Sequence, residues 1–235
     1  MRNIEVCCTS VADVIAAKEG GAKRVELCSA LTGGGVTPSY ALIKKAVEVG
    51  IPINVLIRPR EGDFCYSADE LEIMLEDIRV AKKIGVNGFA IGALNTEKDI
   101  DIPVVNTLVS EINNNSQRKF DITFHRAFDE CKNPENALEK IIFLGCNRLL
   151  TSGCSISAYT GKELIRCLVE RAVGRISIMP GSGINPDNII EIEQITGANE
   201  FHSSARPKVK TNDNSLFGGK PITTSSEIVS KLVNL

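Results

Sequence analysis

The sequence predicts an α/β protein: a single-domain (β/α)8 TIM-type barrel running from residue 1 to residue 235. Three observations carry this. Eight short β-branched runs each precede a segment with helical spacing, and strand–helix–strand units require a parallel sheet. The length of 235 residues is close to the roughly 250 usual for a closed eight-stranded barrel. The first strand is followed by Cys7-Cys8-Thr9-Ser10, without the Gly-rich turn of the runner-up, an open doubly wound sheet.

The strands are read at Ile4–Cys7, Arg24–Cys28, Ile53–Arg58, Gly88–Gly92, Asp121–His125, Arg148–Thr151, Ile176–Met179 and Glu200–Ser203. Each is bounded by turn-forming residues. The first helix, Val11–Lys18, stops at Gly20-Gly21. Pro38-Ser39 opens Tyr40–Val49. Ser67 and Glu70 form a capping box for a helix ending at Ile84, before Gly85. Ile102–Ile112 follows, with Pro103 placed in its first turn. Asn133-Pro134-Glu135 opens a helix stopped by Gly145, and Thr160–Val173 stops at Gly174. Asn185-Pro186-Asp187 opens another that ends at Gly197, and Ser225–Leu235 completes the set. Residues 206–224 read as an irregular loop, with the Lys208–Lys220 stretch a candidate lid.

Composition narrows the function. Lys and Arg total 27 against 29 Asp and Glu, so no excess of basic charge exists for nucleic acid or an anionic membrane. Aromatic residues are 5% of the chain and Trp is absent, which argues against base-stacking platforms. No apolar run approaches 18 residues and no signal-type leader is read, so a cytoplasmic protein with reduced thiols is expected. Eight cysteines occur without a Cys-x-x-Cys pair, which argues against a zinc knuckle or a thioredoxin-type motif.

Side-chain alternation then singles out a polar face. Every second strand residue gives Glu5 and Cys7, Glu26 and Cys28, Asn54 and Arg58, Asp121 and His125, and Glu200 and His202. The intervening residues are apolar and must meet the helices. The polar set therefore points into a barrel whose interior is normally aliphatic. Its bland explanation is an architectural charge network pairing Glu5 and Glu26 with Arg58 or Arg60. Its functional explanation is a site at the carboxyl ends of the strands. Glu5, Glu26, His125 and His202 suit acid–base work. Arg58 and Arg60 suit an anion clamp, with Ser152, Gly181, Ser182, Gly183 and Ser204 in the loops at the same end. The loops after strands seven and eight hold phosphate in many barrels.

Glu5-Val6-Cys7-Cys8, Gly21 to Cys28, Gly34 to Ser39, Ile57-Arg58-Pro59-Arg60, Thr123 to Asp129, Leu150 to Gly153 and Glu200 to Ala205 together resemble the copper homeostasis protein CutC family, over roughly residues 3 to 206. The resemblance implies a TIM-type barrel, a cytoplasmic homo-oligomer (a dimer or larger) and a copper-linked role. Cu(I) is soft and prefers thiolates. Cys7 and Cys28 end neighbouring strands, which lie about 4.8 Å apart, and are the candidate ligands. Cys8 has the opposite parity and should face the helices. The alternative is an enzyme doing acid–base chemistry on a small phosphate- or carboxylate-bearing metabolite. No strand-end lysine is available for a Schiff base. The loop Leu94–Asp99 departs from the family's usual Asp-Gly pair.

Overall fold

The computed structural model describes residues 1–114, 117–207 and 222–235. Eight strands alternate with eight helices. They are β1 (Asn3–Cys8), α1 (Val11–Glu19), β2 (Arg24–Leu27), α2 (Tyr40–Val47), β3 (Ile53–Leu56), α3 (Ala68–Ile84), β4 (Gly88–Ile91) and α4 (Ile102–Asn113). The second half runs β5 (Asp121–Phe124), α5 (Pro134–Phe143), β6 (Arg148–Thr151), α6 (Lys162–Ala172), β7 (Ser177–Pro180), α7 (Ile189–Thr196), β8 (Glu200–Ser203) and α8 (Ser226–Asn234). All strand pairings are parallel, in the order β7-β6-β5-β4-β3-β2-β1-β8. β7 and β8 pack side by side without a paired ladder, so the TIM-type barrel closes by contact at that seam.

Local chemistry accounts for the helix starts. Ser10, Ser39, Ser67 and Ser225 accept the backbone N–H three residues on. Ser67 and Glu70 complete the capping box. Asp101 caps α4, and Pro103 is accommodated in its first turn. Two helices begin later than the sequence suggests. Asn185 accepts from Asp187 N–H at 2.9 Å and its own N–H donates to Asn188 Oδ1 at 3.0 Å, so Asn185–Asn188 forms a turn before α7. Ser157 and Thr160 bond one another at 3.1 Å, which delays α6 to Lys162. Residues 208–221 of the expected 206–224 loop, and with them the whole Lys208–Lys220 lid, lie outside the described residues.

The alternation of faces sorts the core. Ile4, Val6, Cys8, Val25, Leu27, Val55, Ile57, Phe89, Phe124 and Phe201 are buried against the helices in one continuous apolar layer. Burying them supplies the main drive for the fold. Inside the barrel only Cys7, Cys28, Leu56 and Ala90 form a separate small apolar cluster. Leu150 and Met179 add apolar side chains to that interior, and much of the rest is polar or charged. Among the described residues, no helix is long and apolar enough to cross a membrane.

Candidate functional site

The lower half of the barrel interior is a chain of ion pairs. The Arg24 guanidinium bonds Glu5 Oε2 and Glu200 Oε2, both at 2.5 Å. Arg148 bonds the same Glu200 oxygen and reaches Asp121 Oδ2 at 2.7 Å. Asn54 donates to that Asp121 oxygen at 3.0 Å. The register places these groups side by side: Glu5 pairs with Arg24 across β1 and β2, and Glu5 with His202 across β1 and β8. Three carboxylates thus face two guanidiniums, with His202 beside Glu5. The expected pairing of Glu5 and Glu26 with Arg58 or Arg60 is therefore corrected. Arg24 and Arg148 start their strands at the depth of Glu5, whereas Arg58 and Arg60 stand a full layer higher. Both strand arginines share the inward parity of their neighbours, so the signal was present in the sequence.

His202 links this network to the layer above. Its Nδ1 lies 2.9 Å from Glu5 Oε1 and its Nε2 lies 3.8 Å from Glu26 Oε2. Burial opposes its charged form, but Glu26 and Glu5 outweigh burial and raise its pKa. Burial pushes the Glu26 carboxyl up to about 7, with His202 opposing the shift. Glu5 is held well below the usual carboxylate range: burial opposes this, and Arg24 and the His202 hydrogen bond overcome it. Glu5 is thus a committed anion, whereas Glu26 can hold a proton near neutrality.

Cys7 sits beside Glu26 in the β1–β2 register. Its Sγ lies 3.5 Å from Cys28 Sγ. The hydrogen bond to Cys28, then burial, then the nearby Glu26 carboxylate raise the Cys7 thiol pKa. One ligand atom each from Cys7, Glu26 and His202 lies within 4.8 Å of the others, which could hold a metal ion. These three are the floor of a cavity of about 480 Å³ at the carboxyl end of the barrel.

The remaining predicted residues divide. Arg58, His125, Ser182, Gly183 and Ser204 line the same cavity. Arg58 donates to the carbonyls of Gly33, Gly35 and Gly62 at 2.7–2.9 Å and stacks 4.9 Å from the Phe64 ring centre, so it ties two loops together. His125 is buried, and burial followed by the Arg58 charge lowers its pKa to about 3. It stands outside the Cys7–Glu26–His202 cluster. Glu5, Cys28, Arg60, Ser152 and Gly181 are not on the cavity wall. Arg60 turns to Glu70 and Asp63 beside α3. Ser152 is fully buried and bonded to Asp129.

Two cavity residues escaped the alternation argument. Arg126 and Asp129 lie in a 3-10 turn after β5, where strand parity no longer applies. Asp129 accepts from Arg126 at 2.8 Å, from Thr151 Oγ1 at 2.5 Å and from the Ser152 and Cys154 N–H groups at 3.1 Å. All eight cysteines are free thiols.

Comparison with known proteins agrees with this architecture. The model of the CutC family matches residues 2–207. A CutC family protein of Parabacteroides distasonis is 45% identical, over 97% of this chain and 95% of its own length. One from Pasteurella multocida is 48% identical, over 86% of this chain and 82% of its own. The crystal structure of a candidate copper homeostasis protein CutC from Streptococcus agalactiae superposes with a TM-score of 0.80 and 33% identity. That match covers 87% of this chain and 99% of the other. The chain belongs to the CutC family.

Proposed function

We propose that this protein takes part in copper homeostasis by binding Cu(I) through Cys7 and Cys28. The observation that supports this reading is the 3.5 Å approach of the two sulfurs, with Cys7 on the floor of an open cavity. Soft thiolates suit Cu(I), and two sulfurs this close can share one ion. His202 and Glu26 offer a nitrogen and an oxygen beside Cys7. The relative from Streptococcus agalactiae carries the same copper association in its name. Cytoplasmic location and self-association belong to the same reading; light scattering after size exclusion tests the second.

The copper test is a competition titration. Reduced protein is titrated with Cu(I) against a chelator of known affinity, as wild type, Cys7→Ser and Cys28→Ser. One Cu(I) per chain is expected, with affinity lowered by at least about a hundredfold, or 2.7 kcal/mol, in each variant. Equally weak binding by all three proteins overturns the thiolate site.

A second reading is acid–base catalysis on a small anionic metabolite. It draws on the size of the cavity and on Glu26, whose pKa of about 7 suits a proton carrier at neutral pH. Turnover abolished by Glu26→Gln, with the fold intact, is its expected signature.

A further inference from the structure

We propose that the cavity is a binding site for a small organic phosphate, held by His125, Arg126 and the backbone of Ser182–Ile184. This inference stands apart from the copper and catalytic readings, because either can fail while the phosphate site holds.

Size is the first argument. A volume of about 480 Å³ falls within the roughly 300–1,000 Å³ of small-molecule sites and is far more than one metal ion occupies.

The second argument is a surplus of donors. His125 Nδ1 accepts the Ala127 N–H at 3.1 Å, so the ring proton sits on Nε2. That Nε2–H is buried and has no acceptor among the described residues. A buried donor without an acceptor is costly, so the His125 Nε2–H on the cavity wall points to a missing acceptor. Arg126 binds Asp129 through Nε and Ser152 Oγ through Nη2, and no described residue accepts from its Nη1. Three carboxylates line the cavity: Asp129 is engaged by Arg126, Glu130 by Lys98 at 3.0 Å, and Glu26 lies on the floor 3.8 Å from His202 Nε2.

The loop after β7 adds backbone donors. Its acceptors are anchored away from the cavity. Ser182 O accepts from Ala158 N–H at 2.9 Å, and Gly183 O accepts from the Asn185 and Asn188 amides at 2.9 and 2.8 Å. The Ser182 hydroxyl donates to Ile156 O at 3.1 Å. No described residue accepts from the N–H groups of Ser182, Gly183 or Ile184, and all three residues line the cavity. Ser182 holds φ at 74°, a left-handed conformation that a residue with a side chain seldom adopts. Successive backbone N–H groups of this kind suit an oxyanion.

These donors define the chemical class. Three backbone N–H groups, an imidazole N–H and a guanidinium exceed what the two oxygens of a carboxylate engage, and they suit the three terminal oxygens of a phosphate ester. The apolar wall of Leu31, Leu56, Phe64 and Leu150 suits the organic part.

The test is titration calorimetry on reduced, copper-free protein. The probes are glycerol phosphate and phenyl phosphate, with glycerol and inorganic phosphate as references. At least one ester is expected to bind in the sub-millimolar range and at least about tenfold tighter than inorganic phosphate, with no binding of glycerol. Arg126→Gln is expected to weaken the ester by at least about tenfold. His125→Asn is expected to do the same, because its side-chain oxygen keeps the Ala127 N–H capped while the Nε2 donor is lost. The proposal is overturned if neither ester binds at millimolar concentration. It is likewise overturned if inorganic phosphate binds as tightly as the esters, or if both folded variants keep the wild-type affinity.

Discussion

Glu5 and His202 meet across the β1–β8 pairing, with Glu5 Oε1 2.9 Å from His202 Nδ1, and so join the first strand of the barrel to the last. The other Glu5 oxygen belongs to Arg24. One carboxylate therefore connects the charged layer below to the cavity floor above. Its value lies in orienting His202, since its own proton affinity is too low for proton exchange near neutral pH.

That assignment predicts an asymmetry between the two buried glutamates. Glu5→Gln leaves Arg24 without one partner and removes the charge facing His202. A loss of about 3–5 kcal/mol is expected, the usual result of breaking a buried ion pair on one side. Glu26→Gln removes a carboxyl whose basic contact is His202 at 3.8 Å, and a loss below about 1 kcal/mol is expected. Urea unfolding of the two variants gives the comparison. Equal losses would contradict the different roles of these carboxylates.

Asp13 provides an acid-sensitive clamp just beyond the ends of β1 and β8. Its carboxylate accepts from Thr9 N–H at 2.9 Å and Thr224 N–H at 2.8 Å, which fastens the β1 loop to the entry of α8. Burial raises its pKa, but these hydrogen bonds outweigh burial and the net shift is downward. The unfolded chain's Asp titrates near about 3.9. A depressed folded pKa means the stabilisation is complete above that value and is lost as pH falls through the folded pKa. Asp13→Asn should cost about 1–3 kcal/mol at neutral pH. The gap to wild type should narrow in acid, as read by denaturant unfolding along a pH series. A gap that stays constant down to the onset of acid unfolding rules out this clamp.

The barrel was legible because its period is strong: apolar residues alternate with polar ones in strand after strand, and serine or proline marks most helix starts. Inward parity also drew Cys7, Glu26, Arg58, His125 and His202 to one cavity. Parity stops at the end of a strand. Arg126 and Asp129, one and four residues past His125, therefore carried no alternation signal, although both lie in the Thr123–Asp129 stretch that carries the family resemblance. Nor could alternation tell which arginines meet which carboxylates, because that depends on the stagger between strands: Arg24 stands beside Glu5, whereas Arg58 lies among loop carbonyls. The Asn185-Pro186-Asp187 helix start failed for a local reason. Asn185 bonds its own turn, and that satisfies the same backbone donors a helix cap would.

The loop after β6 has no room for a side chain. A Cβ on Gly153 would lie 2.3 Å from the Gly161 carbonyl oxygen, and one on Gly161 would lie 2.0 Å from the Ser152 oxygen. Gly153 also holds φ at 70°. Both obstructions are backbone atoms, which cannot swing aside as a side-chain tip can. Gly153→Ala and Gly161→Ala should each destabilise by about 1–3 kcal/mol. Calorimetric melting temperatures within experimental error of wild type would show that the two segments can separate freely.

Asp129 holds that same loop from the cavity side. Thr151 Oγ1, the Ser152 hydroxyl and N–H, the Cys154 N–H and Arg126 Nε all donate to its carboxylate. Asp129→Ala removes the acceptor of the Thr151 hydroxyl and the Ser152 N–H at once, whereas the Ser152 hydroxyl keeps the Ser155 carbonyl at 2.6 Å. A loss of at least about 2 kcal/mol is expected. Hydrogen exchange at the Ser152 and Cys154 amides should accelerate more than at the β6 residues Leu149 and Leu150, whose ladder bonds remain. Asp129→Asn keeps one acceptor oxygen and should fall between wild type and the alanine variant. If the alanine variant instead matches wild type in stability, and both loop amides stay protected, the loop is held by the Gly153–Gly161 contact and not by Asp129.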